Sequence, residues 1–556
     1  MQRPELNELS LKEKISQLLM INQYPLLQKT EVDERQQRSP EEQQEIMRKY
    51  QYGSLWATGN MQLNVANMAE INIGYKTTTG EYKAWIDRIS EPVRLPMLVG
   101  TDCEGGGGVI FSDATHVSSA LAIGAAKSAE LAFELGADIA REIKAAGCNW
   151  RWSPILDIPN RFNGSVGRSF SDDPRLLAEL AIAHMKGMQS EGVAATAKHF
   201  PGADPYEFRD SHIVTTALNI SFEEWEKTQA MPFQKMIDAG VYTVMIGHAA
   251  FPAADNTMLN GRVIPASMSE KIIEGILRKR MGFQGVVITD GITMAGLTSM
   301  CDYEEMLIRL INAGNDILLG VNPTDYEIVE KAVEEGKISM ERIDSSCKRV
   351  LELKEKLGLF HEERRVPDIL ECAEKTRRTD EKIAEKAVTV LCNNGIVPLR
   401  KEEIKKVALI CSTHRESIYE KINVMVGEFE KRGAKTDVYK RIESKEKVKE
   451  LSDNYDLIVY AAFVAQHNPM GMPSLYGDEM LTYFNAFSFG KEKSVGVAMG
   501  YPYLYHDTMQ GAQTFFNIYS SAPNAQIAFV KTLYGEIPLN THSPIDIVPK
   551  LRYIFS

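Results

Sequence analysis

GVVITD, residues 285–290, is a run of β-branched apolar residues that ends abruptly on a carboxylate. A buried strand has no structural use for a terminal charge, which must be solvated or paired. An amphipathic helical pattern, Ser267–Met281, precedes the run, and the same theme recurs on either side of it. Toward the N-terminus lie YGSLWAT (52–58), PMLVGTD (96–102), CNWRWSP (148–154), ATAKHF (195–200) and VYTVMIG (241–247); toward the C-terminus lies DILLG (316–320). Helical patterns Lys127–Ala146, Pro174–Glu191 and Ser221–Ala239 separate them, and 325–360 also reads as helix. Ser221…Glu224 and Ser267…Glu270 have the spacing of capping boxes, which places helix starts there.

Strands that alternate with helices form a parallel sheet. Seven of them, spaced at roughly 40 residues, predict a closed barrel rather than an open sheet. The expected fold class is α/β: an N-terminal (β/α)8-type TIM barrel over 1–360, followed by a smaller α/β sandwich domain. An eighth barrel strand is not visible. Residues 361–380 lose apolar periodicity, are dense in charge and read as a linker. The second domain, 381–556, is expected to open with the helix EKIAEKAVTVL and to include strands KVALIC (406–411), DLIVYAAF (456–463) and SVGVAMG (494–500).

Composition sets bounds on function. Of the 556 residues, 44% are hydrophobic and 25% charged, as in ordinary globular proteins. The net charge of −12 argues against a nucleic acid or an anionic membrane as partner, since both want a basic face. No apolar run approaches the ~20 residues of a membrane span. The start, MQRPELNELSLKEKISQLLM, is too charged for a signal peptide. Seven cysteines without a CxxC fit reduced thiols in a cytoplasmic protein. Ten histidines without HxxxH spacing signal no metal site, and no cofactor is called for.

The chemistry of such a barrel sits at the C-terminal ends of its strands. Asp102 and Asp290 each end a run, Lys198 and His199 sit together at the end of a third, and His248 follows a fourth, so that five polar groups converge on one rim. After ATAKHF comes a loop holding Asp210-Ser211-His212, beyond a Pro-Gly turn. There a carboxylate two residues from an imidazole can fix its tautomer and suit it to proton transfer near neutrality. The glycine run Gly105–Gly108 leads into Val109-Ile110-Phe111 rather than Lys-Ser/Thr, so it is no phosphate loop but closely packed backbone. Arg168 is open to two roles, a salt bridge with Asp172 or Asp173 and a planar fork for ligand oxygens. Tyr206 and Phe208 offer a stacking face for a sugar, whereas core packing suits Trp150 and Trp152 better. His467 and Tyr476 stand out in no motif.

Seven blocks now carry a resemblance. DCEGG (102–106), NWRWSPILDI (149–158), GRSFSDDP (167–174), KHFPG (198–202), DSH (210–212), VMIGHAAFP (244–252) and MGFQGVVITDGITM (281–294) are similar, in order and spacing, to glycoside hydrolase family 3. The resemblance implies a retaining double displacement with Asp290 as nucleophile. The DSH loop is similar to the β-N-acetylglucosaminidase branch, which implies a His–Asp dyad: His212 as acid/base, oriented by Asp210. It also implies that Asp102, Arg168, Lys198 and His199 bind hydroxyls of the terminal sugar, and rim position puts His248 beside them. Two departures stand out. The branch has a Gly-His-Gly-Asp-Thr run after KHFPG, where this chain has Ala203 to Arg209 in a longer loop. Val109-Ile110-Phe111 replace the arginine usual after the EGG block.

The expected partner is thus a small-molecule or oligosaccharide glycoside, an N-acetylglucosaminide such as a cell-wall or chitin fragment. Three other readings compete: a β-glucosidase or β-xylosidase, an N-acetylglucosaminide phosphorylase, and a catalytically silent sugar-binding protein. The first takes its acid/base from the second domain, which the DSH loop argues against. The second stays open because an imidazole repels phosphate less than a carboxylate does. For the silent reading Asp290 or His212 should be missing, and both are present. Three roles stay open for the second domain: shaping the far side of the pocket, holding a homodimer together, or stabilising the barrel.

Overall fold

The computed structural model describes residues 2–28, 37–58, 77–161, 166–361, 365–464, 474–475 and 477–547; His467 and Tyr476 lie outside them. The chain forms two compact units. The first comprises Met1–Thr115, Ala132–Ile158 and Ala181–Thr376, and the second His116–Leu131, Pro159–Leu180 and Arg377–Ser556.

In the first unit eight strands close into a barrel: β1 (Leu19–Asn22), β2 (Ser54–Trp56), β3 (Leu98–Thr101), β4 (Trp150–Arg151), β5 (Ala194–Phe200), β6 (Thr243–Ile246), β7 (Val286–Gly291) and β8 (Ile317–Val321). Each is parallel to the next, and β8 returns to β1. All seven expected strands are present. The eighth, β1, begins two residues after the helix Leu11–Gln17 ends. Ile15, Leu18 and Leu19 continue that helix's apolar spacing into the strand, which hid the change of period.

The barrel is filled, not hollow. Met20, Leu98, Trp150, Trp152, Ala194, Met245, Val286, Ile288, Ile317 and Leu319 form one buried cluster. The Trp150 indole N–H donates to Thr196 Oγ1 at 2.8 Å and Thr243 Oγ1 at 3.0 Å, so a large ring fills the centre with its polar atom satisfied. Trp150 and Trp152 are core residues, as their context suggested.

Capping followed expectation once and departed once. Ser221 accepts the N–H of Glu224, the N-terminal half of a box. Ser267 caps nothing and turns its hydroxyl to His248 instead; Ser269 accepts the N–H of Ile272 at the start of Lys271–Arg280.

Helix Met340–Lys356 packs Val350 and Leu353 onto the barrel cluster and buries Lys354 completely (0% exposed). Lys354 Nζ donates to Gln17 Oε1. Burial pushes its pKa down to about 7. Between pH 7 and ~10 the unfolded chain then holds a proton that the folded chain has lost, so stability rises with pH in that window. Lys354→Met is expected to be at least as stable as the native chain at pH 7 and to lack that rise. Urea unfolding at pH 7 and 9.5 checks it, and an unchanged pH slope would refute it.

The second unit holds a six-stranded sheet of β9 (Thr389–Cys392), β10 (Lys406–Thr413), β11 (Lys435–Tyr439), β12 (Leu457–Phe463), β13 (Ser494–Ala498) and β14 (Phe515–Asn517), in the order β9-β14-β13-β12-β10-β11. Only β9 runs antiparallel to its neighbour. Two expectations are corrected here. Residues 361–380 are not an irregular linker throughout, because the helix Ile369–Ala387 starts within them, and the passage between units falls inside that helix. The helix expected over EKIAEKAVTVL stops at Ala387, where Val388-Thr389-Val390 favour the extended strand β9. Among the described residues, no helix is long and apolar enough to cross a membrane.

Candidate active site

β7 delivers Asp290 to the C-terminal rim of the barrel, 20% exposed at its side chain. Its Oδ1 accepts the Gly291 N–H at 2.7 Å, and its Oδ2 lies 4.0 Å from His199 Nε2. Burial works to raise its pKa. His199, His248 and His212, in that order, then the Gly291 N–H, outweigh burial and hold it down to about 2. The group is therefore a carboxylate at any ordinary pH, with three imidazoles about it.

Each imidazole is oriented from behind. His199 is fixed by Asp157, whose carboxylate accepts its backbone N–H at 3.1 Å and faces its Nδ1 at 2.7 Å. This turns Nε2 toward Asp290. The register between β5 and β6 shifts between Ala197 and Phe200. Consecutive strand residues ordinarily point to opposite faces, and a bulge re-aims a side chain. Here Lys198 and His199 both reach rim carboxylates.

His248 lies deep in the rim. It is 1% exposed, with Nδ1 2.8 Å from Ser267 Oγ and Nε2 3.1 Å from the Gly291 carbonyl. Burial lowers its pKa, favouring the neutral ring. Both its nitrogens are thus engaged, one of them at the end of β7.

His212 and Asp210 meet as expected. Asp210 Oδ1 accepts the His212 backbone N–H at 2.8 Å and lies 2.5 Å from His212 Nδ1. The imidazole is thereby set to exchange its proton at Nε2. Upstream, Asp204 accepts the N–H groups of Tyr206 and Asn219, and Glu207 pairs with Arg209, which gives the lengthened loop its own framework. Tyr206 and Phe208 stand 56% and 59% exposed on it.

Lys198 is buried and its Nζ donates to Asp102 Oδ1 at 3.1 Å and Glu104 Oε1 at 2.8 Å. The turn presenting these two carboxylates passes through Cys103 at φ 38°, in the left-handed region that residues with a Cβ avoid. Buried Arg151 steadies it, donating to the Cys103 carbonyl at 2.8 Å and the Glu104 carbonyl at 3.2 Å. His184 Nε2 lies 2.8 Å from the same guanidinium while its Nδ1 faces the Ala132 carbonyl. Burial pushes the His184 pKa down to about 3, consistent with a neutral ring that accepts from Arg151. The glycine run is close-packed, since a Cβ on Gly107 would meet Glu142 Oε2 at 2.7 Å.

The structure thus brings Asp102, Lys198, His199, His248 and Asp290 together on one barrel, with the 210–212 loop beside them. Arg168 belongs to the second unit, where it is half-buried. Glu104, Asp157 and Arg151 were not singled out in the sequence, and Ser267 was only as a helix cap. The first two lay inside blocks already quoted, but their partners are 94 and 42 residues away.

Residues 10–353 match the family described as "Glycosyl hydrolase family 3 N terminal domain". The chain is 27% identical over 499 residues to a "Beta-N-acetylglucosaminidase/beta-glucosidase" of Cellulomonas fimi, covering 84% of this chain and 87% of that protein. It superposes on "Beta-glucoside phosphorylase BglX" with a TM-score of 0.81 at 24% identity, over 98% of this chain and 95% of that one. It superposes on a family 3 β-N-acetylglucosaminidase from Paenibacillus sp. str. FPU-7 with a TM-score of 0.80 at 24% identity, over 97% and 99%. These two likenesses speak for the fold. The family match spans more than half of the sequence, and its barrel ends in the rim just described: the chain belongs to glycosyl hydrolase family 3, and with it to the glycosidases.

Proposed function

We propose that this protein removes terminal β-N-acetylglucosamine residues by retaining hydrolysis. The observation that carries the reading is the His212–Asp210 pair, on a loop whose imidazole helps to hold Asp290 ionised. Retention needs a carboxylate nucleophile and an acid/base close together. In the first step an Asp290 oxygen bonds to the anomeric carbon as the glycosidic C–O bond breaks, and the departing oxygen takes the proton from His212 Nε2. In the second, His212 takes a proton from water, whose oxygen attacks the same carbon and releases the Asp290 carboxylate. Asp210 keeps the Nδ1 proton bound throughout and so fixes the nitrogen that reacts. Asp102, Lys198 and His199 bind sugar hydroxyls in this reading. The relative from Cellulomonas fimi carries N-acetylglucosamine in its name, with glucose beside it.

A second reading is phosphorolysis, with phosphate in place of water in the second step. It is favoured by the imidazole itself, which leaves the departing side of the sugar with less negative charge than a carboxylate would. One assay separates the readings: release of 4-nitrophenol from the β-glycosides of N-acetylglucosamine, glucose and xylose, with and without phosphate. The expected result is preference for the N-acetyl sugar with no response to phosphate. Phosphate-dependent rates with a sugar 1-phosphate as product overturn hydrolysis. Preference for glucose or xylose overturns the choice of sugar.

A further inference from the structure

The loop bearing His212 is fastened to the loop that follows Asp290. The Ala295 N–H donates to the His212 carbonyl at 2.9 Å. Gly296 lies so close beneath that a Cβ there would meet the Ser211 carbonyl at 2.4 Å and the Val214 carbonyl at 2.5 Å. Thr215 Oγ1 donates to the Gly296 carbonyl at 2.9 Å. Three contacts in five residues leave the two loops little freedom to slide.

A third element spans this joint. After β6, Met258–Leu259 and Arg262–Val263 form a small antiparallel hairpin, turned at Asn260 and Gly261 with φ of 49° and 78°. Two successive positive φ values are the signature of a tight hairpin turn. Buried Asp255 anchors its base, accepting from Thr257 Oγ1 at 2.7 Å, Ser269 Oγ at 2.6 Å and Lys271 Nζ at 2.9 Å. From this support Arg262 reaches both loops. Its Nη1 donates to Thr215 Oγ1 at 3.3 Å and Ser299 Oγ at 3.0 Å, and its Nη2 donates to the Ser299 carbonyl. Asn260 Nδ2 adds a bond to the Met300 carbonyl at 3.0 Å.

We propose that Arg262 is a positioning residue: its planar fork pins the loop of the His212–Asp210 dyad to the loop of Asp290, so that proton donor and nucleophile stand in register before any glycoside arrives. The proposal rests on the acid/base reading of that dyad. Asp290 itself belongs to a barrel strand and does not depend on the fork; His212 belongs to a loop and does. Loss of the fork therefore spoils proton delivery and spares nucleophilic attack.

The test is kcat/KM over a series of aryl β-N-acetylglucosaminides whose leaving groups differ in acidity. For Arg262→Ala the expected result is a loss of ~10-fold or more on the poorest leaving group and under ~2-fold on the most activated one, since the latter needs little protonation. Arg262→Lys, which keeps the charge but not the fork, should fall between. Gly296→Ala keeps Arg262 yet forces the loops apart, and should steepen the series in the same sense; it serves even where Arg262→Ala does not fold. His212→Ala is run beside them. A flat series in His212→Ala sinks the dyad reading. A steep series there, with Arg262→Ala and Gly296→Ala unchanged or uniformly slower on every leaving group, overturns the positioning role alone.

Discussion

Asp290→Ala is expected to lower kcat/KM on every glycoside by on the order of 10⁴-fold or more, equivalent to about 5 kcal/mol of transition-state stabilisation. In the proposed mechanism the carboxylate has two duties, forming the covalent bond and opposing the positive charge that develops on the sugar ring. An alanine performs neither. Its side chain is only partly buried and accepts its neighbour's N–H, so the melting temperature should change little. Azide supplied to the variant should restore part of the rate by attacking the vacated face, giving a glycosyl azide of inverted configuration. Near-native rates without azide would remove Asp290 from the mechanism. The pH profile carries the same assignment in the native chain. With its pKa held down to about 2, Asp290 stays ionised as pH falls through the ordinary carboxylate range near ~4. The acid limb of kcat/KM should accordingly lie below that range.

His212→Ala should divide substrates by leaving group. On a disaccharide or an alkyl glycoside the loss in kcat/KM should reach ~10²- to 10⁴-fold, the usual worth of a positioned general acid. On a dinitrophenyl glycoside it should be small, because that aglycone departs without a proton. The second half-reaction loses its base as well, so the glycosyl–Asp290 intermediate should accumulate and the activated substrate should show a burst of phenol. Asp210→Asn should give a weaker version of the same pattern, since a carboxamide can orient the Nδ1 proton but carries no charge to stabilise the imidazolium. Equal losses across leaving groups would assign protonation to another residue.

Legibility tracked how local the cause was. Seven barrel strands could be read because each is a short apolar run set off by helical patterns, and β1 was hidden by the shared apolar spacing of Ile15, Leu18 and Leu19. The dyad was visible because its partners are two residues apart. The carboxylate behind His199 and the second one on Lys198 were not, because closure of the barrel alone brings them together. His248 shows the limit of reading by position. Its place after β6 announced a rim residue, but only the fold reveals that both its nitrogens are spent on Ser267 and Gly291. Likewise Ser267 had the spacing of a cap and serves as a side-chain partner instead.

The turn around Cys103 has one further consequence. Two positive groups, Lys198 and Arg151, lie under two negative ones, Asp102 and Glu104, with the cations buried and the anions nearer to water. The four formal charges cancel, so this part of the rim presents strong local dipoles and almost no monopole. Such a surface grips a neutral polyol by directional bonds at contact range, without drawing ions toward it from solution. Affinity for an uncharged sugar should therefore be nearly indifferent to ionic strength.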